Sequence, residues 1–454
     1  MSRSLDLAER ALRSAHGDAV EAVVQSEQSG FARFAGSEVH QPTLIENDSV
    51  FLRVIRGQKA GAAAGNRIDD DGLRELAARA EAAADAAPED PELPGVAGPA
   101  AVAEVDGYDA ETAELGPDQQ ARLAAAAIDA AGELPVYGFF TSGTATVAVA
   151  TSAGCAAEQT TTDAMTLALA ATDSASGYGE QMGWRAADVD PAAVAREAVE
   201  KAERTRGASE LDPGTYRAVL EPYALGELLQ YFAFDAFSGL AVLEERSYLS
   251  GRIGERRFDE KVSIADDALD PAGLPKRFDF EGVPKQRVAL VEDGVLRSAV
   301  WDSASAARSG GSETSTGHAP PPALRRWGPL PFALAVAGGD AESVDELVEH
   351  VDDGIYVTRL HYLGIVEPRQ GILTGMTRDG TFRIRDGKIA EPLVNLRFTV
   401  AIPDVLADVP GLTRERKLVN ESAFYDERFA YGALVPALAT ARFDVTGIGG
   451  PPGV

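Results

Sequence analysis

The stretch "LDPGTYRAVLEPYALGELLQYFAFDAF", Leu211 to Phe237, decides how the chain divides. Its Pro213-Gly214 pair reads as a turn, Thr215 to Leu220 as a strand, and the remainder as a helix. In that helix Leu228, Leu229, Phe232 and Phe237 recur at three- and four-residue spacing. Gln230 and Asp235 stand out in "GELLQYFAFD", a largely apolar run. Polar groups in apolar helices usually satisfy a buried backbone group, so a structural role stands beside a functional one.

Upstream, "AVEAVVQSEQ", "FARFAGSEVHQP" and "SVFLRVIRGQKAGAAAG" read as three β-type runs with glycine-containing turns between them. "IDDDGLRELAARAEAAADAA" and "DQQARLAAAAIDAAGEL" read as helices, separated by a Pro- and Gly-rich surface connection over residues 87–118. "VYGFFTSGTATVAVATSAG" and "AAEQTTTDAMTLALAATD" alternate as strands, and a glycine-rich segment "SASGYGEQMGW" precedes the helix "DPAAVAREAVEKAERTRGA". Downstream of Leu211, strands dominate, interrupted by a long Ser/Gly/Pro loop and the helix "SVDELVEHVDDG". The expected class is α+β in two domains: an N-terminal α/β domain with a mixed sheet over 1–210, and a β-rich, barrel-like domain over 211–454. A length of 454 residues suits two cores better than one.

With 45% hydrophobic and 25% charged residues, the composition is that of an ordinary soluble protein. No run of about 18 apolar residues would cross a membrane. The first segment, "MSRSLDLAERALRSAHGDAVEA", reads as an acid-containing amphipathic helix without the apolar core of a signal peptide, so a cytoplasmic location is expected. A net charge of −29 argues against nucleic acid as a partner. Cys155 is the single cysteine, which excludes an intramolecular disulfide or a multi-cysteine metal site, and its neighbours offer no cation to activate it.

Phosphate-loop, dinucleotide, nucleophile-elbow and HExxH patterns are absent, and no two of the five histidines stand four residues apart. His350 reads as a helix C-terminal cation and His361 as a partly buried strand residue. His318, in the loop "STGHAPPP", is the one histidine whose surroundings suggest a substrate-binding surface, against the alternative of a solvent-facing loop residue. The acid pairs Asp266-Asp267 and Asp352-Asp353 read as caps and turn residues, since adjacent side chains diverge. Generic chemistry alone thus assigns no catalytic residue.

The order of segments is more specific. "SVFLRVIRGQKAGAAAG", "AREAVEKAERTRGASELDPGTYRAVLEP", "SYLSGRIGER", "ETSTGHA" and "DDGIYVTRLHYLGIVEPRQGILTGMTRDGTFRIRDGKIAEPLVNL" together resemble the TldD/PmbA (TldD/TldE) family of cytoplasmic, peptide-cleaving metalloproteins. The resemblance implies a helix that, in the TldD branch, carries His-Glu-x-x-x-His, two zinc ligands and a general base, with a cysteine ligand from near the C-terminus. Those positions fall here on Gln230, Tyr231, Asp235 and, in "VNESAFYDE", Ser422; Cys155 lies in the wrong domain to substitute. Glutamine is a weak zinc ligand, and a tyrosine with a pKa of about 10 cannot replace a glutamate base near neutral pH. The resemblance therefore implies the PmbA/TldE branch: a metal-free, non-catalytic subunit with no cofactor of its own. Zinc is expected in a TldD-type partner chain, the two forming a heterodimer that takes an extended peptide as an added strand. Two alternatives remain: an independent hydrolase in which Asp235, His318 and His361 converge on a metal, or a peptide-binding scaffold without activity.

Overall fold

The computed structural model describes residues 2–420 and 427–453, so Ser422 lies outside the described residues. Strands β1 (Ala19–Ala35), β2 (Glu38–Arg56), β3 (Lys59–Gly65), β4 (Val136–Thr151), β5 (Ala156–Thr172) and β6 (Ala175–Gly183) form a six-stranded sheet in the order β3-β2-β1-β4-β5-β6. All neighbours in it pair antiparallel. The three short β runs read from the sequence are in fact two long strands and a short one. Gly36 and Ser37, at φ 58° and 63°, make the two-residue turn that joins β1 to β2, and "FARFAGSEVHQP" straddles it. Gly30, read as part of a turn, lies inside β1: a Cβ there would sit 2.0 Å from Oε1 of Gln120.

Helices α1 (Arg3–Ser14) and α2 (Asp70–Ala86) share an apolar core with β1 and β2 that includes Leu7, Val24, Leu52, Leu73 and Leu76. After a single-turn helix α3 (Ala110–Ala113), α4 (Pro117–Ala131) and α5 (Pro191–Arg204) form a second core with Phe34, Phe140 and Ala168. Side chains of Asp69 and Asp190 accept the N–H groups of Gly72 and Ala193, capping α2 and α5.

The second sheet has eleven strands, and the parallel pairings expected of the first half occur here. Its members are β7 (Gly214–Leu220), β8 (Ile264–Asp266), β9 (Val288–Glu292), β10 (Val295–Leu296), β11 (Leu334–Val336), β12 (Gly354–Glu367), β13 (Ile372–Arg385), β14 (Lys388–Pro392), β15 (Leu396–Ala401), β16 (Gly411–Asn420) and β17 (Gly432–Ile448). β7 runs parallel to β12, and β11 parallel to β17. β17 pairs with both β15 and β7, closing the ring β7-β12-β13-β15-β17, which gives the barrel-like character.

Helix α6 (Pro222–Ala236) packs against β12, β16 and β17. Its buried residues, among them Leu225, Leu228, Leu229, Phe232 and Ala236, surround the axis, so the helix is enclosed rather than amphipathic. Each such Leu or Phe contributes about 1.5–3 kcal/mol of burial. Gly226 admits β16: a Cβ there would lie 2.1 Å from Cγ2 of Val419.

A polar seam joins the halves. The buried Arg428 guanidinium grips Asp163 of β5 with Nε and Nη2 at 2.8 and 2.5 Å, and Nη1 reaches Ser29 and Thr141, each at 3.1 Å. Lys201 of α5 bonds Glu221 at 2.7 Å, and Glu221 in turn accepts the Tyr356 hydroxyl. Among the described residues no helix is long and apolar enough to cross a membrane.

Candidate functional site

Pro222 opens α6 at its first turn, where a missing N–H costs nothing, and the helix carries Gln230 into the interior. The Gln230 side chain is fully buried; Nε2 donates to the Pro331 carbonyl at 2.9 Å, while Oε1 has no partner among the described residues. Tyr231 is half-buried against the main core. Asp235 forms an ion pair with Arg246. One turn beyond Gln230, the Phe234 ring lies 5.8 Å from that of Phe332. These residues do not fit a zinc ion: the Gln230 amide nitrogen is committed to Pro331, Asp235 is paired with Arg246, and the buried Gln230 oxygen without a partner among the described residues is a neutral amide oxygen, a weak zinc ligand. Nor do Asp235, His318 and His361 converge, for no group of three or more His, Cys, Asp or Glu among the described residues is placed to hold a metal.

His318 is not on a solvent-facing loop. It is 1% exposed, with Nε2 at 2.8 Å from Asp266 Oδ1 and Nδ1 at 2.9 Å from the Thr316 hydroxyl. Asp266 also accepts the Ala333 N–H at 2.9 Å, which corrects its reading as a turn residue; Asp267 does serve a turn, accepting Leu269 N–H at 3.1 Å. Burial, reinforced by the nearby Lys285 charge, pushes the His318 pKa down and so favours the neutral ring. Burial alone would raise the Asp266 carboxyl, but His318 and Lys285 outweigh it and hold it low. The neutral ring then donates from Nε2 to an ionised Asp266 and accepts from Thr316, a tautomer assigned from these partners.

From Pro331 a wall of packed rings continues, in which Phe332 and Phe280 are buried and Phe429 and Tyr431 half-buried. Phe332 lies 4.8 Å from Tyr431 and 5.0 Å from Phe429, and Phe280 lies 5.4 Å from Phe429. Lys276 sits over Phe429, 5.2 Å from its centroid, and donates to the Ala430 carbonyl at 2.7 Å. One turn before Gln230 on α6, Glu227 shares its surroundings with Glu180 of β6 and Arg359 and Asp379 of the β12–β13 pair. Burial and the two carboxylates raise the Glu227 pKa to about 8 against the pull of Arg359. The seam also opens to a cleft of about 450 Å³ lined by Gln181, Asp188, Glu342, Arg416 and Lys417, but its cations already have partners in Asp270 and Glu197.

This arrangement matches known proteins. The description "PmbA/TldA metallopeptidase C-terminal domain" fits residues 213–447, just over half of the chain, and "PmbA/TldA metallopeptidase domain 1" fits residues 20–84. The chain belongs to the PmbA/TldD metallopeptidase family. An uncharacterized protein of Methanocaldococcus jannaschii is 45% identical over 137 residues, 29% of this chain and 32% of that protein. A protein of Methanothermobacter thermautotrophicus named Metalloprotease is 29% identical over 230 residues, 50% of this chain and 48% of that one. The chain thus matches half or less of the length of these relatives. The crystal structure of TldE from Thermococcus kodakarensis superposes with a TM-score of 0.86 at 19% identity, over 97% of this chain and 99% of that one, which establishes a shared fold.

Within this PmbA/TldD fold, the sequence pointed to α6 but not to what surrounds its polar residues. Glu227 lies in the quoted helix among buried neighbours such as Gly226 and Leu228, but no local pattern names Glu180, Arg359 and Asp379 around it. Lys276, Lys285 and Asp266 gave no motif, because their contacts come from residues up to 154 positions away.

Proposed function

We propose that this chain is the metal-free, TldE/PmbA-like subunit of a TldD/TldE-type heterodimer, in which a zinc-bearing TldD-type chain cleaves unfolded peptides and this chain helps to wall and shape the peptide site. The observation that carries the reading is the state of α6. At the positions matching His-Glu-x-x-x-His stand a fully buried Gln230 tied to Pro331, a half-buried Tyr231, and an Asp235 neutralised by Arg246. None is a histidine or a glutamate, and the one anion among them is paired with Arg246. Family membership supplies the peptidase context, and the fold shared with TldE points to the partner type. The ring wall of Phe234, Phe332, Phe429 and Tyr431 suits apolar side chains of an extended peptide, whose backbone would pair as an added strand.

Native mass spectrometry of the chain purified from its own cells, reading partner mass and metal together, tests this directly. The expected result is a one-to-one complex with a second chain of similar size that carries the zinc. A lone chain or homodimer holding its own metal would overturn the reading.

A further inference from the structure

Four oxygen-bearing side chains meet where the first sheet receives the segment 427–431. Gln25 and Glu27, two residues apart on β1, point to the same face of that sheet. In the antiparallel register Asn47 of β2 stands directly opposite Glu27, and Ser49 opposite Gln25, so both join that face. The Ser49 hydroxyl donates to Glu427 Oε1 at 2.6 Å, and the Arg428 N–H donates to Glu27 Oε2 at 2.9 Å. These two bonds hold the second carboxylate beside the first. Gln25, Glu27, Asn47 and Glu427 together line a cavity of about 10 Å³. That is room for a single water or ion.

These groups are not spent on one another. Glu27 Oε1 is shielded from solvent and has no partner among the described residues, while Oε2 takes the Arg428 N–H and the Ser29 hydroxyl. Among the described residues the Glu427 carboxylate has one bond, from Ser49, and the carboxamides of Gln25 and Asn47 have none. The Arg428 guanidinium, whose charge reaches Glu27, is itself held by Asp163 at 2.5 and 2.8 Å. Two carboxylates thus share a partly desolvated pocket without a cation of their own. Burial raises the Glu27 carboxyl above its ordinary value, and the Glu427 charge acts in the same sense. An orphaned carboxylate oxygen in such a place costs free energy until a donor or a cation meets it. A water would satisfy the oxygen without relieving the repulsion between the two anions.

We propose that Glu27, Glu427, Asn47 and Gln25 form a site for one hard divalent cation, calcium by preference, which pins the segment 427–431 to the first sheet. All four donors are oxygens, two anionic and two amide, a set that calcium accepts in flexible geometry with waters completing its six to eight ligands. Magnesium demands a near-octahedral shell and parts with its waters reluctantly, so donors spread over two strands and a third segment favour the larger ion. With two acids the affinity is modest, about 0.1–1 mM, in the range of the weaker calcium modules. The site is separate from the polar residues of α6 and stands or falls independently of the peptidase reading. Phe429 and Tyr431 follow Glu427 by two and four residues, so the ion also steadies the ring wall.

Calorimetric titration of the metal-stripped full-length chain with calcium chloride alone tests this, in about 0.1 M salt to screen the acidic surface. One site per chain is expected, with a dissociation constant of about 0.1–1 mM, and magnesium should bind at least about tenfold more weakly. Glu27→Gln and Glu427→Gln keep the shape of the pocket, and each should weaken calcium at least about tenfold. Saturating calcium should raise the unfolding midpoint of the unaltered protein by about 1–3 °C and leave that of either variant unmoved. Absence of a saturable calcium signal up to about 10 mM would overturn the site and leave water as the occupant. Many weak sites indifferent to both substitutions would also overturn it, showing diffuse attraction of counter-ions to a chain of net charge −29. One site that survives both substitutions would place the ion elsewhere and refute the assignment. Unfolding curves of the variants without calcium separate a lost site from a lost fold, and the titration of the unaltered protein needs no variant.

Discussion

Glu227 shows how much one buried carboxyl can shift the response of the protein to pH. It stands three residues before Gln230 on α6, with burial, Glu180 and Asp379 all favouring its protonated form, and its pKa reaches about 8. Arg359 opposes them but is engaged elsewhere: it bonds Asp379 at 2.6 Å and lies 3.8 Å from the Tyr178 ring centroid. The folded chain therefore keeps a proton on Glu227 at pH 7 that the unfolded chain, with an ordinary value near 4.5, has released. Folding then takes up a proton, so stability falls as pH rises from about 4.5 to about 8. Glu227→Gln keeps the shape and removes this dependence. Urea unfolding at pH 5 and pH 8 should show the unaltered protein losing about 1–3 kcal/mol more than the variant over that interval. Identical losses would refute the assignment. His318 acts in the opposite sense. Its lowered pKa makes the unfolded state the better proton acceptor, so its contribution declines as pH falls through 6.5, and comparing the two proteins cancels it.

At the scale of elements, β6 and α5 illustrate a strand that hides from sequence reading. "SASGYGEQMG" has glycines where a strand favours branched residues, yet Ala175–Gly183 pairs with β5 along its whole length. The glycines let α5 lie directly on the strand: a Cβ on Gly177 would come within 2.1 Å of the Ala198 carbonyl and 2.3 Å of the Ala202 N. Gly177→Ala is therefore expected to force the helix away and destabilise the protein by about 1–3 kcal/mol, read from the urea midpoint. A neutral result would mean that α5 is not seated there. The same reasoning separates what is legible in the sequence from what is not. Helix α6 and strands β4 and β5 can be read because their periodicity is local to each segment. The unbroken run of β1 through Gly30 escapes such reading because the close approach of Gln120, 90 positions away in sequence, accounts for that glycine. The site is legible only where chemistry is written in consecutive residues, as at Gln230 and Asp235. The His318–Asp266 contact spans 52 positions and the Lys276–Ala430 contact 154, and no local pattern records either.

At the scale of the molecule, the question is what holds the segment 427–431 of the second half against the sheet of the first. Glu427 accepts the Ser49 hydroxyl at 2.6 Å, the Arg428 N–H donates to Glu27 at 2.9 Å, and the Arg428 guanidinium is enclosed by Asp163, Ser29 and Thr141. A charged pair so deeply buried gains less than its contacts suggest, since both ions lose their water, but removing one partner strands the other. Arg428→Met should accordingly cost about 3–5 kcal/mol, because Asp163 would be left as an unpaired buried anion. The double variant Arg428→Met with Asp163→Leu should recover at least half of that loss, the mark of coupling between the pair rather than of packing alone. Recovery of nothing would assign the cost to the shape of the cavity. The segment also positions Phe429, Ala430 and Tyr431, which supply two rings of the wall and the carbonyl held by Lys276. The double variant, if folded, should then bind an extended peptide less tightly, because the rings lose the anchor that fixes their place between the two sheets.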